Sequence, residues 1–193
     1  MRKVIVSEFV SLDGVAENPA WTFQFGSEEQ EKYKFDELFA CDALLLGRVT
    51  YQGFAAAWPQ MKGTGEYGER INSMPKYVAS TTLTEMEWNA SLIKGDLAEE
   101  VSRLKQQPGQ DMLVFGSCEL VYTLTQLDLI DEYRLMVFPI VLGGGKRIFR
   151  DGSEKKTLKL VETKTFASGV VVLSYEPVAQ GDERFAMKED KRL

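Results

Sequence analysis

A chain of 193 residues, 44% hydrophobic and 27% charged, has the size and composition of one globular domain with material for a full core. Its formal charge of −6 argues against non-specific nucleic-acid binding and against docking on an anionic membrane, though it leaves room for a local basic pocket. The absence of histidine removes Ser-His and Cys-His nucleophilic catalysis and histidine-based metal sites, so no metal is expected and a bound cofactor becomes the better source of difficult chemistry.

Residues 3–10 read as a first strand, and Ser11-Leu12-Asp13-Gly14 turns the chain, with Gly14 free to take a positive φ. Residues 15–26 carry Trp21, Phe23 and Phe25 between Pro19 and Gly26, an aromatic loop. Ser27 with Gln30 reads as a capping box opening a helix whose apolar face is Phe35, Leu38 and Phe39. The run Ala43–Leu46 is a short strand buried on both faces, and a helix follows from about Thr50 to Trp58. Residues 59–75, with Pro59, Gly63, Gly65, Gly68 and Pro75, read as a long irregular connection. A strand at 76–80 follows. Asp96 and Glu99 cap a helix bearing Leu97, Val101 and Leu104. Met112–Phe115 is a second buried strand, and Ser117 is placed to cap the helix of Leu120, Val121, Leu124 and Leu127. Tyr133, Leu135 and Val137 alternate as a strand, and 157–165 with 170–175 form a closing hairpin. The longest apolar run, Leu135–Leu142, is too short to span a bilayer, and nothing near Met1 has the core of a signal peptide. Two cysteines, Cys41 and Cys118, make no disulfide framework and read as buried small hydrophobes in a reducing, cytoplasmic setting.

Three strand ends carry the functional signals. Gly47, Arg48 and Thr50 follow a buried strand and open a helix, the layout of a phosphate-gripping turn. Gly116 and Ser117 repeat it, and two such turns on one parallel sheet are what a nucleotide crevice needs. Ser80 and Thr81 stand at a third strand end as hydrogen-bond donors, or as ordinary loop polarity. Asp13 is a turn former or, at the mouth of the sheet, a group facing substrate. Gly63-Thr64-Gly65-Glu66-Tyr67-Gly68 matches a dinucleotide fingerprint in letters only, because no buried strand precedes it.

With these pieces in order, the sequence resembles the dihydrofolate reductase-like superfamily. It is most similar to the reductase domain of the bifunctional riboflavin-biosynthesis enzyme, a 5-amino-6-(5-phosphoribosylamino)uracil reductase, and to that domain's stand-alone bacterial relatives. The residues that carry the resemblance are Ser11–Gly14, Leu45–Tyr51, Pro75–Leu83, Val114–Ser117 and Pro139–Gly145. It implies a three-layer α/β/α fold over 1–178, with a mostly parallel mixed sheet ending in an antiparallel hairpin and a polar tail at 179–193. It implies NADPH as hydride donor to a small pterin- or aminopyrimidine-like substrate, and a homodimer. Gly47, Arg48 and Thr50 would hold the cofactor's phosphates, with Ser80 and Thr81 near the adenosine 2′-phosphate. Gly116 and Ser117 would let the pyrophosphate approach a helix start, and Leu142, Gly143 and Gly144 would form a loop beside the nicotinamide. For the acid that meets the substrate, the resemblance points to Glu31 on the first helix, beside Asp13. The deaminase domain of the bifunctional enzyme has no counterpart here. The alternative is a non-catalytic nucleotide- or ligand-binding protein on the same fold.

Overall fold

The computed structural model describes residues 1–178. The expected polar tail, 179–193, lies outside the described residues. Eight strands form one sheet in the order β4-β3-β2-β5-β1-β6-β8-β7. The strands are β1 (Val4–Ser11), β2 (Cys41–Gly47), β3 (Lys76–Ala79), β4 (Ala90–Leu92), β5 (Asp111–Val114), β6 (Glu132–Phe138), β7 (Leu158–Thr165) and β8 (Val171–Pro177). The first six in sheet order are parallel to their neighbours, and β8 and β7 close the sheet antiparallel. This is the expected α/β architecture.

Alternation along the central strands explains the three layers. Val4, Val6, Ala43, Leu45, Met112 and Val114 face one side, where α4 (Leu97–Gln106) and α5 (Cys118–Gln126) supply Val101, Leu104, Val121 and Leu124. Ile5, Leu44, Leu46 and Leu113 face the other, against Leu38 of α1 (Glu28–Phe39), Tyr51 of α2 (Arg48–Ala57) and Ile71 of α3 (Gly65–Ser73). Parallel strands buried on both faces need this continuous apolar composition. A third cluster forms where β6 and β8 leave the parallel part, with Phe138 at its centre and the rings of Phe9, Trp21 and Phe25 within 5.8 Å of it. Those contacts fold the expected aromatic loop into a 3-10 turn at Pro19–Phe25.

The expected irregular connection at 59–75 instead contains α3. A side chain on Gly68 would collide with Thr64, so this glycine marks close packing inside a helix and not a flexible loop. The letter match to a dinucleotide fingerprint thus runs through the cap Thr64 into the first turn of α3, preceded by the 3-10 turn Trp58–Gln60 and not by a strand. The first helix departs from its expected face: its buried residues are Gln30, Glu37 and Leu38, while Phe35 and Phe39 stack on each other with centroids 4.2 Å apart. No helix among the described residues is long and apolar enough to cross a membrane. Both cysteines are free and buried.

Candidate active site

The parallel strands do not run together to their ends. β1 pairs with β5 only from Val4 to Val6, yet stays paired with β6 as far as Ser11 and Phe138. Beyond Val6 and Val114 the two central strands part, and a cleft opens at their carboxyl ends. This is the position at which open α/β sheets bind ligands.

Two helices start on the rim of the cleft. Gly47 precedes α2 and Ser117 precedes α5, and the Gly47 N–H donates to the Gly116 carbonyl at 3.1 Å. The turns touch so closely that a Cβ on Gly47 would strike the Ser117 hydroxyl. Gly116 has φ +82° and its peptide bond to Ser117 is cis. A Cβ on Gly116 would lie 3.0 Å from the Thr50 hydroxyl and 3.3 Å from Glu8 Oε1. The first turn of each helix has backbone N–H groups with no intrahelical partner, and the two helix dipoles put positive potential at the same rim. Thr50 and Gly53 of α2, the cap residue Ser117 and Cys118 of α5 line this chamber of about 500 Å³.

Aromatic side chains form the walls. Phe54, Trp58, Tyr67 and Phe115 border the first chamber, and a second of about 760 Å³ adjoins it, bounded by Phe35, Met136 and Phe138. Phe9, Lys34, Trp58 and Tyr67 border both. Apolar walls with a few convergent polar groups are the general character of a small-molecule site.

The polar groups are concentrated at the junction. Lys34 Nζ donates to the Ser7 hydroxyl at 2.6 Å and forms an ion pair with Glu37, and lies 4.5 Å from the centroid of Phe115. Arg134 meets Glu37 from the far side at 3.5 Å and grips Glu132 at 2.6 Å. Glu37 is therefore neutralised by two cations, as a carboxylate with a 1% exposed side chain must be. Glu8, next along β1, has no such arrangement. Its Oε1 is buried with no hydrogen-bond partner among the described residues, and burial pushes its carboxyl up to about 8 despite the opposing pull of Lys34.

The RibD C-terminal domain model matches residues 2–172. The chain belongs to this family. It is 34% identical over 177 residues to the uncharacterized protein YyaP of Bacillus subtilis (strain 168), covering 90% of this chain and 94% of that one. The fold is similar to that of a diaminohydroxyphosphoribosylaminopyrimidine deaminase/5-amino-6-(5-phosphoribosylamino)uracil reductase from Thermotoga maritima. The TM-score is 0.64 and the identity 16%, over 92% of this chain and 57% of that one. It is also similar to Enterococcus faecalis dihydrofolate reductase complexed with NADP(H), with TM-score 0.60 and 11% identity over 91% and 96% of the two chains.

Within this RibD C-terminal domain, the structure brings together four of the sequence-derived cofactor residues: Gly47, Thr50, Gly116 and Ser117. Ser117 sits at the cap position of α5, yet its hydroxyl makes no cap hydrogen bond, contrary to expectation. Arg48 is exposed and turned to Gln52 Oε1 at 3.0 Å. The Ser80 hydroxyl accepts from the N–H groups of Thr82 and Leu83, both at 3.1 Å, and Thr81 is exposed beside it at the end of β3. Neither lines the chambers described. The same holds for Leu142, Gly143 and Gly144, whose loop is fastened elsewhere. Leu142 N–H and Gly143 N–H donate to the Asp13 carboxylate at 3.1 and 2.8 Å, and Ser11 Oγ donates to it at 2.7 Å.

That arrangement agrees with Asp13 as a turn former, the first of the two readings that the sequence offered for it. The Ser11 hydroxyl and the two backbone donors hold its carboxyl down to about 2, so it is ionised and serves as a tie between two loops. Glu31 borders the second chamber but is exposed. The residues that sequence reasoning missed are Glu8 and Lys34. A signal for Glu8 was present: a carboxyl inside a largely apolar strand is costly to bury and often marks a site.

Proposed function

We propose that this chain is an NADPH-dependent reductase acting on a small flat heterocycle of the pterin or aminopyrimidine type, as a cytoplasmic homodimer. The observation that supports the cofactor is the close contact of Gly47 with Gly116 and Ser117, which brings two helix N-termini to one rim. Such a rim offers backbone donors and positive potential to a pyrophosphate. Thr50 and Ser117 would hold it with their hydroxyls. The exposed Arg48 and the β3 end at Ser80 and Thr81 would meet the adenosine phosphates. When bound, the reduced nicotinamide supplies hydride chemistry.

The chain's own contribution is positioning and exclusion of water. Phe54, Trp58 and Phe115 provide flat apolar walls for stacked rings, and Lys34, carried between Ser7 and Glu37, presents a fixed ammonium to a ring acceptor. The Asp13 tie keeps the 142–145 loop packed on the 11–15 turn at the edge of the cleft. The test is titration of the pure protein with NADPH and separately with NADH, followed by nicotinamide fluorescence and melting temperature. Saturable binding with preference for NADPH, and a melting temperature that rises with ligand concentration, is the expected result. A protein that binds neither is not this reductase.

A further inference from the structure

Glu8 is a group the fold accommodates at a cost, and no hydrogen-bond partner among the described residues explains it. It occupies the point where β1 and β5 separate, with Lys34 of α1 on one side and Gly116 on the other. Every other carboxylate deep in this region is paired: Glu37 with Lys34 and Arg134, Glu132 with Arg134. A glutamine would fill the same volume with no charge to desolvate, so a purely structural role does not call for an acid here.

We propose that Glu8 is the acid of this cleft: it gives its carboxyl proton to the nitrogen or oxygen of a C=N or C=O bond on a flat heterocycle, while the adjoining carbon takes hydride. This rests on the reductase reading. The step balances with the reduced nicotinamide dinucleotide as reductant. A C–H bond forms from the hydride and its two electrons, and the π pair moves to the heteroatom. That atom takes the Glu8 proton, with an N–H or O–H bond formed and the carboxyl O–H broken. The nicotinamide is left oxidised, and the Glu8 carboxylate regains a proton from solvent.

The surroundings suit an acid. Burial favours the neutral carboxyl at neutral pH, and this outweighs the Lys34 charge. The other ionisable groups around the chamber are Glu17 after β1, Tyr67 of α3, Cys118 and Glu119 of α5, and Lys146 of the loop before β7. The Cys118 thiol is pushed up to about 11, first by burial and then by the nearby Glu8 charge, so it does not compete as a donor or thiolate. The Gly116 position gives the Glu8 oxygens room, since a side chain there would press on Oε1.

The test compares wild type with Glu8→Gln, which keeps shape and removes the proton. Carboxyl NMR of protein labelled with ¹³C at the glutamate side-chain carboxyls should show one resonance titrating near 8, absent from the variant. NADPH affinity should agree within about twofold, because the variant leaves Gly47, Thr50, Gly116 and Ser117 untouched. Single-turnover oxidation of bound NADPH by a 7,8-dihydropterin or, separately, an aminopyrimidine ring with a C=N bond should slow by roughly 100-fold or more in the variant, the usual range for loss of a general acid. The wild-type rate should fall above pH 8, tenfold per unit, and the residual variant rate should not. A Glu8 resonance titrating in the ordinary carboxylate range overturns the proposal. So does a variant as fast as wild type, or a wild type that binds NADPH and reduces neither ring. Failure of both proteins to bind NADPH overturns the reductase reading and this role with it.

Discussion

Gly116 is held at φ +82°, where a side chain is strained, and an added Cβ would also press on Thr50 and Glu8. Gly116→Ala should cost roughly 1–2 kcal/mol from the backbone alone, more if the contact cannot relax. Urea denaturation would read that loss, and nicotinamide fluorescence should show weaker NADPH binding in the same variant. Asp13 lends itself to a pH experiment. Its folded carboxyl lies near 2 against an ordinary value of 3.8, so the stabilisation it gives is present above 3.8 and disappears as pH falls toward 2. Asp13→Asn should melt at lower temperature than wild type at pH 7, and the difference should shrink in scans below pH 4. Glu8 has the opposite sign. Its carboxyl is raised from 4.5 to about 8, so the native state retains a proton that the unfolded chain has lost, and stability falls as pH rises between those values. At this scale the sequence was informative about glycines and poor about acids. Gly47 and Gly116 announced themselves by following apolar runs. Asp13 and Glu8 differ in what surrounds their carboxyls, and only folding brings Ser11, Leu142 and Gly143 to one and isolates the other.

Helix caps were legible where they are local. Asp96 accepts from the Glu99 N–H at 3.0 Å, as the spacing predicts. Asp96→Ala should destabilise by about 1 kcal/mol, seen as a lower melting temperature with the site intact and NADPH binding unchanged. The Ser27 box is only half formed. Its hydroxyl accepts from the Gln30 N–H at 3.4 Å, but the Gln30 amide turns away to the Phe25 carbonyl and Ser168. Tertiary partners there outcompete the local one. Helix α3 was hidden because three glycines within six residues read as a loop. Gly63 and Gly65 do take positive φ at its start, while Gly68 lies inside it against Thr64. The apolar spacing of Tyr67 and Ile71, four apart, was the signal that should have weighed against them. The short strand β4 carries too few residues for any periodicity.

At the scale of the whole molecule, fold class and the closing hairpin followed from the change of pattern after Asp131, where continuous apolar runs give way to alternation. The site was legible as two glycine turns at a crevice, but the shape of its chambers was not, because it depends on where β1 and β5 part. Sequence marks strand ends to within a residue or two, but the parting is set by how far β6 holds β1 beyond Val6. The same feature bears on how the chain acquires its structure. β1 is synthesised first and sits between β5 and β6, with Val4 beside Met112 and Ile5 beside Glu132. Its edges have no permanent neighbours until most of the chain exists. Closing such long loops is entropically slow, and an unpaired apolar strand is a template for association between chains. The buried Glu8 and the hydroxyls of Ser7 and Ser11 interrupt that strand. Polar residues inside an apolar strand are the kind of interruption that lowers its tendency to pair with other chains, so Ser7 and Glu8, which line the cleft, also break up β1 before its neighbours exist.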